Sequence, residues 1–322
     1  MEKKIAILLS TYNGAKYLKQ QVKSILQQSN QDWHLYIRDD GSSDTTAAII
    51  RYLAKDSRIT FFNEENIKNV GTVQSFMELF EKTDADYYMF SDQDDYWLPN
   101  KIKDTLETML SAEKEFPGKP ICVHTNLKVT DDNLKPYRLY NEMPSWDDFQ
   151  RILFNNCSTG CTMMVNDNLK KMINFAQIDY HKVYMHDWWL TLIAACFGKV
   201  CYLEQPTILY RQHASNVLGS LDNGKMRKRL RPLNRIVFPY YDLGEFKKAL
   251  GMISEFNYEY GDYVFGQNKE YLLKYSSLQN DSSFLHNLGL VIKLPPKETS
   301  LKKTLLYSMI MIRFPRKLKN LY

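Results

Sequence analysis

The sequence predicts an α/β chain: a Rossmann-like, mostly parallel central sheet flanked by helices, followed by a mainly helical, basic extension. Three observations carry that prediction. Before about residue 120, short apolar runs alternate four times with segments of helical periodicity, the order that crossover-connected parallel strands require. The first run is apolar almost throughout, as a strand buried on both faces is. Charge then divides the chain: residues 222–322 carry 18 Lys+Arg against 9 Asp+Glu, whereas residues 1–221 carry 24 against 28. An acidic front and a basic rear imply two different jobs, and the expected division is 1–220 and 221–322.

Each element follows from local chemistry. Ile5 to Thr11 reads as a buried parallel strand, Asn13-Gly14 as a turn, and Leu18, Val22, Ile25 and Leu26 as one face of a helix. Trp33 to Arg38 is a second strand, and Asp39 to Asp44 a polar loop before a helix marked by Ala47, Ile50 and Leu53. A third strand covers Ile59 to Phe62; Val73, Phe76, Met77 and Phe80 then mark a helix before the strand Tyr87 to Phe90. Pro99 suits the first turn of a helix carrying Ile102, Leu106, Met109 and Leu110. After residue 120 the rhythm loosens, with strands expected at Ile121 to His124, Cys161 to Val165, Val200 to Leu203 and Ile208 to Arg211, and a helix at Asp187 to Phe197.

The 322 residues suffice for a substantial core, and 44% apolar with 25% charged residues is ordinary globular composition. The apolar run Ile5 to Leu9 is too short for a signal peptide, and no stretch approaches the ~20 residues of a membrane span. Five cysteines, at 122, 157, 161, 196 and 201, lack zinc-knuckle spacing and read as buried free thiols of a cytoplasmic protein.

In an open parallel sheet, ligands sit beyond the carboxyl ends of the strands. The informative polar residues fall there: Thr11-Tyr12-Asn13 after the first strand, Asp39-Asp40 after the second, and Ser91 to Asp95 after the fourth. Neither a G-x-G-x-x-G nor a G-x-x-x-x-G-K-[ST] follows the first strand, which excludes a dehydrogenase-type dinucleotide site and a P-loop. Asp92, Asp94 and Asp95 repel one another unless a cation neutralises them. Oxygen ligands favour a hard ion, Mg²⁺ or Mn²⁺, held by one or two carboxylates plus substrate phosphates.

The segments ILLSTYNGAKYLKQQVKSILQQS, IRDDGSSDTT, NVGTVQSF, MFSDQDDYWLPNKI, HDWW and YRQHASN together resemble glycosyltransferase family 2, of the GT-A fold, over about residues 3–217. The SDQDDYWLPNKI, HDWWL and YRQH versions resemble bacterial rhamnosyltransferases of cell-wall and capsular polysaccharide synthesis. The resemblance implies that Tyr12 stacks on a nucleotide base beside Thr11, and that Asp40 accepts from the pyrimidine N3–H with support from Asp39. It makes Asp94 the direct metal ligand, sets Asp92 toward the ribose or the metal's water shell, and leaves Asp95 in support. It makes Asp187 the general base at a helix start, where the family often has Glu-Asp and this chain has His186-Asp187. His213 returns to the site as metal ligand or diphosphate contact, Arg211 pairs with the diphosphate, and Gly160 permits close backbone approach near the acceptor. The implied reaction is a single inverting displacement from dTDP-rhamnose onto a lipid-diphosphate-linked saccharide. The alternatives are a UDP-hexose donor within the same family, and a catalytically silent nucleotide-sugar-binding subunit.

Lys225 to Arg235 holds six Lys/Arg and Leu301 to Tyr322 six more, none with an acidic neighbour. Such segments suit an anionic membrane surface, here the inner face of the plasma membrane; a core helix or a contact between copies in a homo-oligomer is the alternative. The basic clusters carry no identifiable nucleic-acid motif, so nucleic acid is not an expected partner.

Overall fold

The computed structural model describes residues 3–140, 145–213, 240–298 and 300–318. The basic run Lys225 to Arg235 and the last four residues, 319–322, lie outside the described residues. The chain forms two compact units. The first takes residues up to Asp147 with Cys157–Ala176 and Met185–His213; the second takes Asp148–Asn156, Gln177–Tyr184 and the described residues after His213.

The first unit begins with the expected alternation: β1 (Ile5–Thr11), α1 (Leu18–Leu26), β2 (Trp33–Asp39), α2 (Thr46–Leu53), β3 (Ile59–Phe61), α3 (Thr72–Lys82) and β4 (Tyr87–Ser91). These four strands run parallel in the order β3-β2-β1-β4. β1 is central and nearly every residue in it is buried, which is why its sequence shows no polar alternation. The register aligns Thr11 with Asp39 and Leu9 with Ser91, so three polar loops leave the sheet at one edge.

The sheet continues as β8-β6-β9-β5, built from β5 (Tyr96–Trp97), β6 (Ile121–Thr130), β8 (Met163–Asn166) and β9 (Lys199–Arg211), with β7 (Pro136–Leu139) paired to β6. β8 is antiparallel to both neighbours, whereas β6 and β9 run parallel. Two expected strands, 200–203 and 208–211, are one strand, β9. The sequence divided them at Pro206, which lies opposite Asn126 where the register against β6 shifts; a proline is tolerated there because it lacks the N–H a regular ladder uses. The strand expected from Cys161 begins instead at Met163, because Gly160–Thr162 form a 3₁₀ turn.

Helices α4 (Lys101–Glu115), α5 (Phe149–Ile152, of the second unit), α6 (Asp167–Lys170) and α7 (His186–Phe197) complete this part of the chain. Residues His186 to Ala194 of α7 are all buried, so this part of the helix is enclosed on every face. Trp188 and Trp189 are core residues within it. All five cysteines are free, with Cys122, Cys157 and Cys161 buried. The second unit carries α8 (Tyr240–Tyr260), α9 (Gly266–Ser276), α10 (Phe284–Lys293) and α11 (Leu301–Arg313). Its core gathers Phe154, Phe246, Phe256, Leu272 and Tyr275, with the Phe154 and Tyr275 rings edge to face at 4.6 Å.

Candidate active site

The site is assembled from chain ends that the sheet register delivers to one edge. At the end of β1, Thr11 is buried and Tyr12 is 51% exposed. Both are held by Gln93, whose Oε1 accepts from the Thr11 hydroxyl and from the Tyr12 N–H at 2.9 Å, while its Nε2 donates to the Tyr12 carbonyl at 3.1 Å. Gly14 makes this clamp possible: a Cβ there would lie 2.2 Å from Gln93 Oε1 and 2.5 Å from Thr11 Oγ1. Gln93 sits 82 residues away in sequence, so no local pattern announced its role.

After β2 the two carboxylates have divided fates. Asp40 is largely satisfied from within: Oδ1 accepts from Arg38 Nη1 at 2.7 Å and the Val70 N–H at 2.8 Å, and Oδ2 from the Gly71 N–H at 3.0 Å. Arg38 is 1% exposed and also reaches Glu78, so its charge is shared between two carboxylates. Asp39, 0% exposed, accepts from the Ser42 N–H and hydroxyl through Oδ1, while its Oδ2 has no hydrogen-bond partner. The unclaimed buried acceptor in this loop therefore belongs to Asp39.

After β4 the loop is short of donors. One carboxylate oxygen each of Asp92 and Asp95, together with Cys161 Sγ, lie within 4.8 Å of one another. Burial, then the Asp94 and Asp187 carboxylates, push the Asp92 carboxyl up to about 7. Burial with Asp94 and Asp92 raises Asp95 well above the usual carboxylate range, and burial with Asp95 and Asp92 raises the Cys161 thiol. Asp95 accepts from the Arg211 N–H at 3.2 Å through Oδ1, and its Oδ2 has no partner. Lys101 is fully buried near this group, its ammonium 4.8 Å from the Trp97 ring centre and without a hydrogen-bond partner; burial pulls it down to about 8. An unpaired ammonium beside the cluster is an incomplete counter-charge.

Asp94 turns the other way. Its Oδ2 lies 2.8 Å from His213 Nε2, and both side chains remain slightly open, at 13% and 10% exposure. His213 stacks on Tyr17 with ring centres 4.8 Å apart. Arg211 is otherwise engaged: its Nε donates to the Asp94 carbonyl at 2.8 Å, Nη2 to Gln20 Oε1 at 2.7 Å and Nη1 to the Asp132 carbonyl. Its guanidinium, 4.6 Å from the Tyr17 ring centre, ties β9 to the acidic loop and α1.

The last corner is the start of α7. Asp187 is 4% exposed; its Oδ1 accepts from the Trp188 N–H at 2.6 Å and its Oδ2 from the Gly160 N–H at 2.9 Å. Two amide donors and the helix N-terminus favour the carboxylate anion. The Asp187 charge is also felt at Asp92, which joins this corner electrostatically to the acidic loop. His186 stacks on Phe76 at 4.2 Å; burial pulls it down to about 3, and neither ring nitrogen has a hydrogen-bond partner. A Cβ at Gly160 would stand 2.8 Å from His186 Nε2, so glycine there is a packing requirement.

Comparison with known proteins bears on the family and the fold. Residues 6–165 match the family model described as Glycosyl transferase family 2. The chain is 29% identical over 228 residues to dTDP-rhamnosyl transferase RfbG of Shigella flexneri, covering 66% of this chain and 74% of that protein. It is 24% identical over 191 residues to the Escherichia coli UDP-Glc:alpha-D-GlcNAc-diphosphoundecaprenol beta-1,3-glucosyltransferase WfgD, covering 59% and 69%. Among solved structures, S. aureus TarS 1-349 aligns with a TM-score of 0.54 at 14% identity, over 97% of this chain and 80% of that one. The same fragment in complex with UDP-GlcNAc aligns at 0.51 and 13% identity, over 98% and 92%. These likenesses establish the GT-A-like fold.

Proposed function

The chain belongs to glycosyl transferase family 2, and from that premise we propose that it is a metal-dependent, inverting rhamnosyltransferase that uses dTDP-rhamnose and a lipid-diphosphate-linked saccharide acceptor. The observation that carries the reading is the convergence on one sheet edge of an exposed aromatic, an unclaimed buried acceptor, an under-neutralised acidic loop and an anchored carboxylate. These are Tyr12, Asp39, Asp92 to Asp95 and Asp187. Tyr12 offers an exposed ring for the base, with Thr11 behind it. Because three of the roughly four acceptor positions of Asp40 are taken while Asp39 Oδ2 has no hydrogen-bond partner, the contact to a pyrimidine N3–H is assigned to Asp39 Oδ2, with Asp40 and Arg38 holding the loop.

The donor set suits a divalent ion. Asp94 Oδ2 and His213 Nε2, now hydrogen-bonded to each other at 2.8 Å, would both turn to the ion. Asp92, half-buried, would join them, and the deeper Asp95 and Cys161 would serve as supports. When bound, Mg²⁺ or Mn²⁺ neutralises charge on the departing diphosphate. Arg211 supports this loop through one hydrogen bond from each of its three guanidinium nitrogens, and its contact to the diphosphate would use the remaining N–H groups.

Asp187 takes the proton from the acceptor hydroxyl as that oxygen attacks the anomeric carbon and the bond to the diphosphate breaks. One displacement inverts the centre, so a β-linked donor gives an α-rhamnoside. No nucleophilic carboxylate is needed, unlike retaining glycoside hydrolysis. The two backbone donors to Asp187 hold it in one orientation for that transfer. A second reading keeps the reaction and changes the donor to a UDP-hexose; it is favoured by the UDP-Glc donor of the E. coli relative and the UDP-GlcNAc bound in the S. aureus structure.

A panel of nucleotide sugars with Mn²⁺ separates the two readings. Thermal stabilisation and turnover with dTDP-rhamnose are expected, and a response to UDP-sugars alone would remove rhamnose. In the same assay Asp187→Asn should retain donor affinity and lose turnover by about 10²-fold, the usual size of general-base catalysis; near-wild-type turnover would take Asp187 out of the mechanism. Absence of transfer with every donor and acceptor would favour the silent-subunit alternative.

A further inference from the structure

The second unit ends in two neighbouring helices whose outward faces are apolar. In α11, Tyr307, Ile310 and Met311 are buried, yet Leu301, Leu305 and Met309, spaced four residues apart, are 76%, 57% and 58% exposed. In α10, Leu290 and Asn287 are buried, while Phe284, Leu285 and Ile292 are 54%, 77% and 73% exposed. The helices are joined by a hydrogen bond from Asn287 Nδ2 to the Met311 carbonyl, 2.7 Å long, so the two faces belong to one packed hairpin. A helix apolar on both its inner and outer faces is one whose outer face has a partner.

Charge identifies that partner. Lys293, Lys302, Lys303, Arg313 and Arg316 are all exposed on or beside these helices. Lys302 and Arg313 project next to the Leu301–Leu305–Met309 stripe, since three- and four-residue steps share a helix face. From Phe284 to Leu318 the sole acidic residue is Glu298, which is 7% exposed and accepts from Asn155 Nδ2 at 2.9 Å. The exposed charge from Phe284 to Leu318 is therefore positive, and the nearest exposed acid is Asp281, which lies 3.5 Å from His286 Nδ1 at the start of α10. No helix among the described residues is long and apolar enough to cross a membrane.

We propose that α10 and α11 form a peripheral docking surface for an anionic lipid bilayer, with the apolar stripes entering the interface and the flanking cations meeting lipid phosphates. The inference stands on this hairpin alone and goes beyond the catalytic reading; a lipid-linked acceptor would give it a purpose, because enzyme and acceptor would share one surface. An apolar stripe with a cationic margin is the makeup of interfacial helices, and one without acidic side chains selects anionic over zwitterionic lipid.

The test is flotation of the full-length chain with vesicles of phosphatidylglycerol and phosphatidylcholine, against phosphatidylcholine alone. Binding to the anionic vesicles is expected, weakening as salt rises. The double variant Leu305→Glu/Met309→Glu changes side chains already in solvent, so its melting temperature should match wild type while anionic-vesicle affinity falls by about tenfold or more. Lys302→Gln/Lys303→Gln/Arg313→Gln should weaken binding and flatten its salt dependence. Failure of wild type to float, or undiminished flotation of the Glu double variant, overturns the proposal. So does a concentration-dependent dimer that the double variant abolishes without any vesicle binding, which would give the surface to a second copy. Nucleotide binding is measured separately, so loss of the glycosyltransferase reading leaves this result intact.

Discussion

Two acidic loops leave the same edge of the sheet, and they are neutralised in opposite ways. The loop after β2 carries its own cation: Arg38, fully buried, meets Asp40 at 2.7 Å, and two backbone amides take up the rest of that carboxylate. The loop after β4 gathers Asp92, Asp94 and Asp95 with a buried thiol and an ammonium that contacts none of them by hydrogen bond. The difference teaches which loop is finished by folding and which awaits a ligand. A carboxylate satisfied within the fold is part of the scaffold, whereas Asp92 and Asp95, pushed toward protonation by burial and then by neighbouring carboxylates, would release protons on binding a cation.

The strongest attempt to break this comparison is Asp94→Ala. Turnover should fall on the order of 10³-fold, because the ion's charge at the leaving diphosphate is lost. Mn²⁺ titration checks the cause, and unchanged Mn²⁺ affinity would return Asp94 to the scaffold. Next comes Arg38→Met, which strands the buried Asp40 and removes the partner of the half-buried Glu78. It should cost about 3 kcal/mol of folding stability in urea, the scale of breaking a buried ion pair. A loss under about 1 kcal/mol would mean that the first loop is not internally neutralised after all. By contrast, Asp95→Asn should alter metal-free stability by no more than about 1 kcal/mol, since burial and the neighbouring carboxylates already press that carboxyl toward protonation. A large loss would show that it is held as an anion.

The smallest effect is a pH dependence. Asp92 is raised to about 7, above the ordinary carboxylate value, so folding favours its protonated form. That contribution to stability is fully present below the unfolded value and is lost as pH rises through about 7. Metal binding needs the anion, so Mn²⁺ affinity should rise with pH up to about 7 and level off above it. Calorimetry in two buffers of different ionisation heat should register proton release at pH 6 and little at pH 8. Equal release at both would place the titrating group elsewhere.

The strands and helices of the first unit were largely legible because burial writes a period into the sequence. β1, β2 and β4 are apolar runs flanked by turn residues, and α1 and α3 show their inward faces at regular spacing. β7 was invisible since all four of its residues are exposed, leaving no contrast to read, and β5 is two residues long. In the site, Asp94, His213 and Asp187 were reachable through ordered motifs. What escaped was whatever depends on distant pairing: Gln93 on Thr11 and Tyr12, Arg38 on Asp40 and Glu78, and Lys101 near Asp95 and Cys161. Which of Asp39 and Asp40 keeps an oxygen without a partner was likewise unreadable, because adjacent residues of one type differ only in which neighbours their side chains meet.

Gly160 carries one more consequence. Its N–H reaches Asp187 Oδ2 at 2.9 Å, while the space a side chain would need is filled by the His186 ring. The aim of the proposed base is thus governed by a missing methyl group. Adding it would wedge the turn away from α7 and misdirect a proton acceptor whose own atoms were untouched. A laboratory evolving this chain toward new acceptors should expect positions 160 and 186 to change together or not at all.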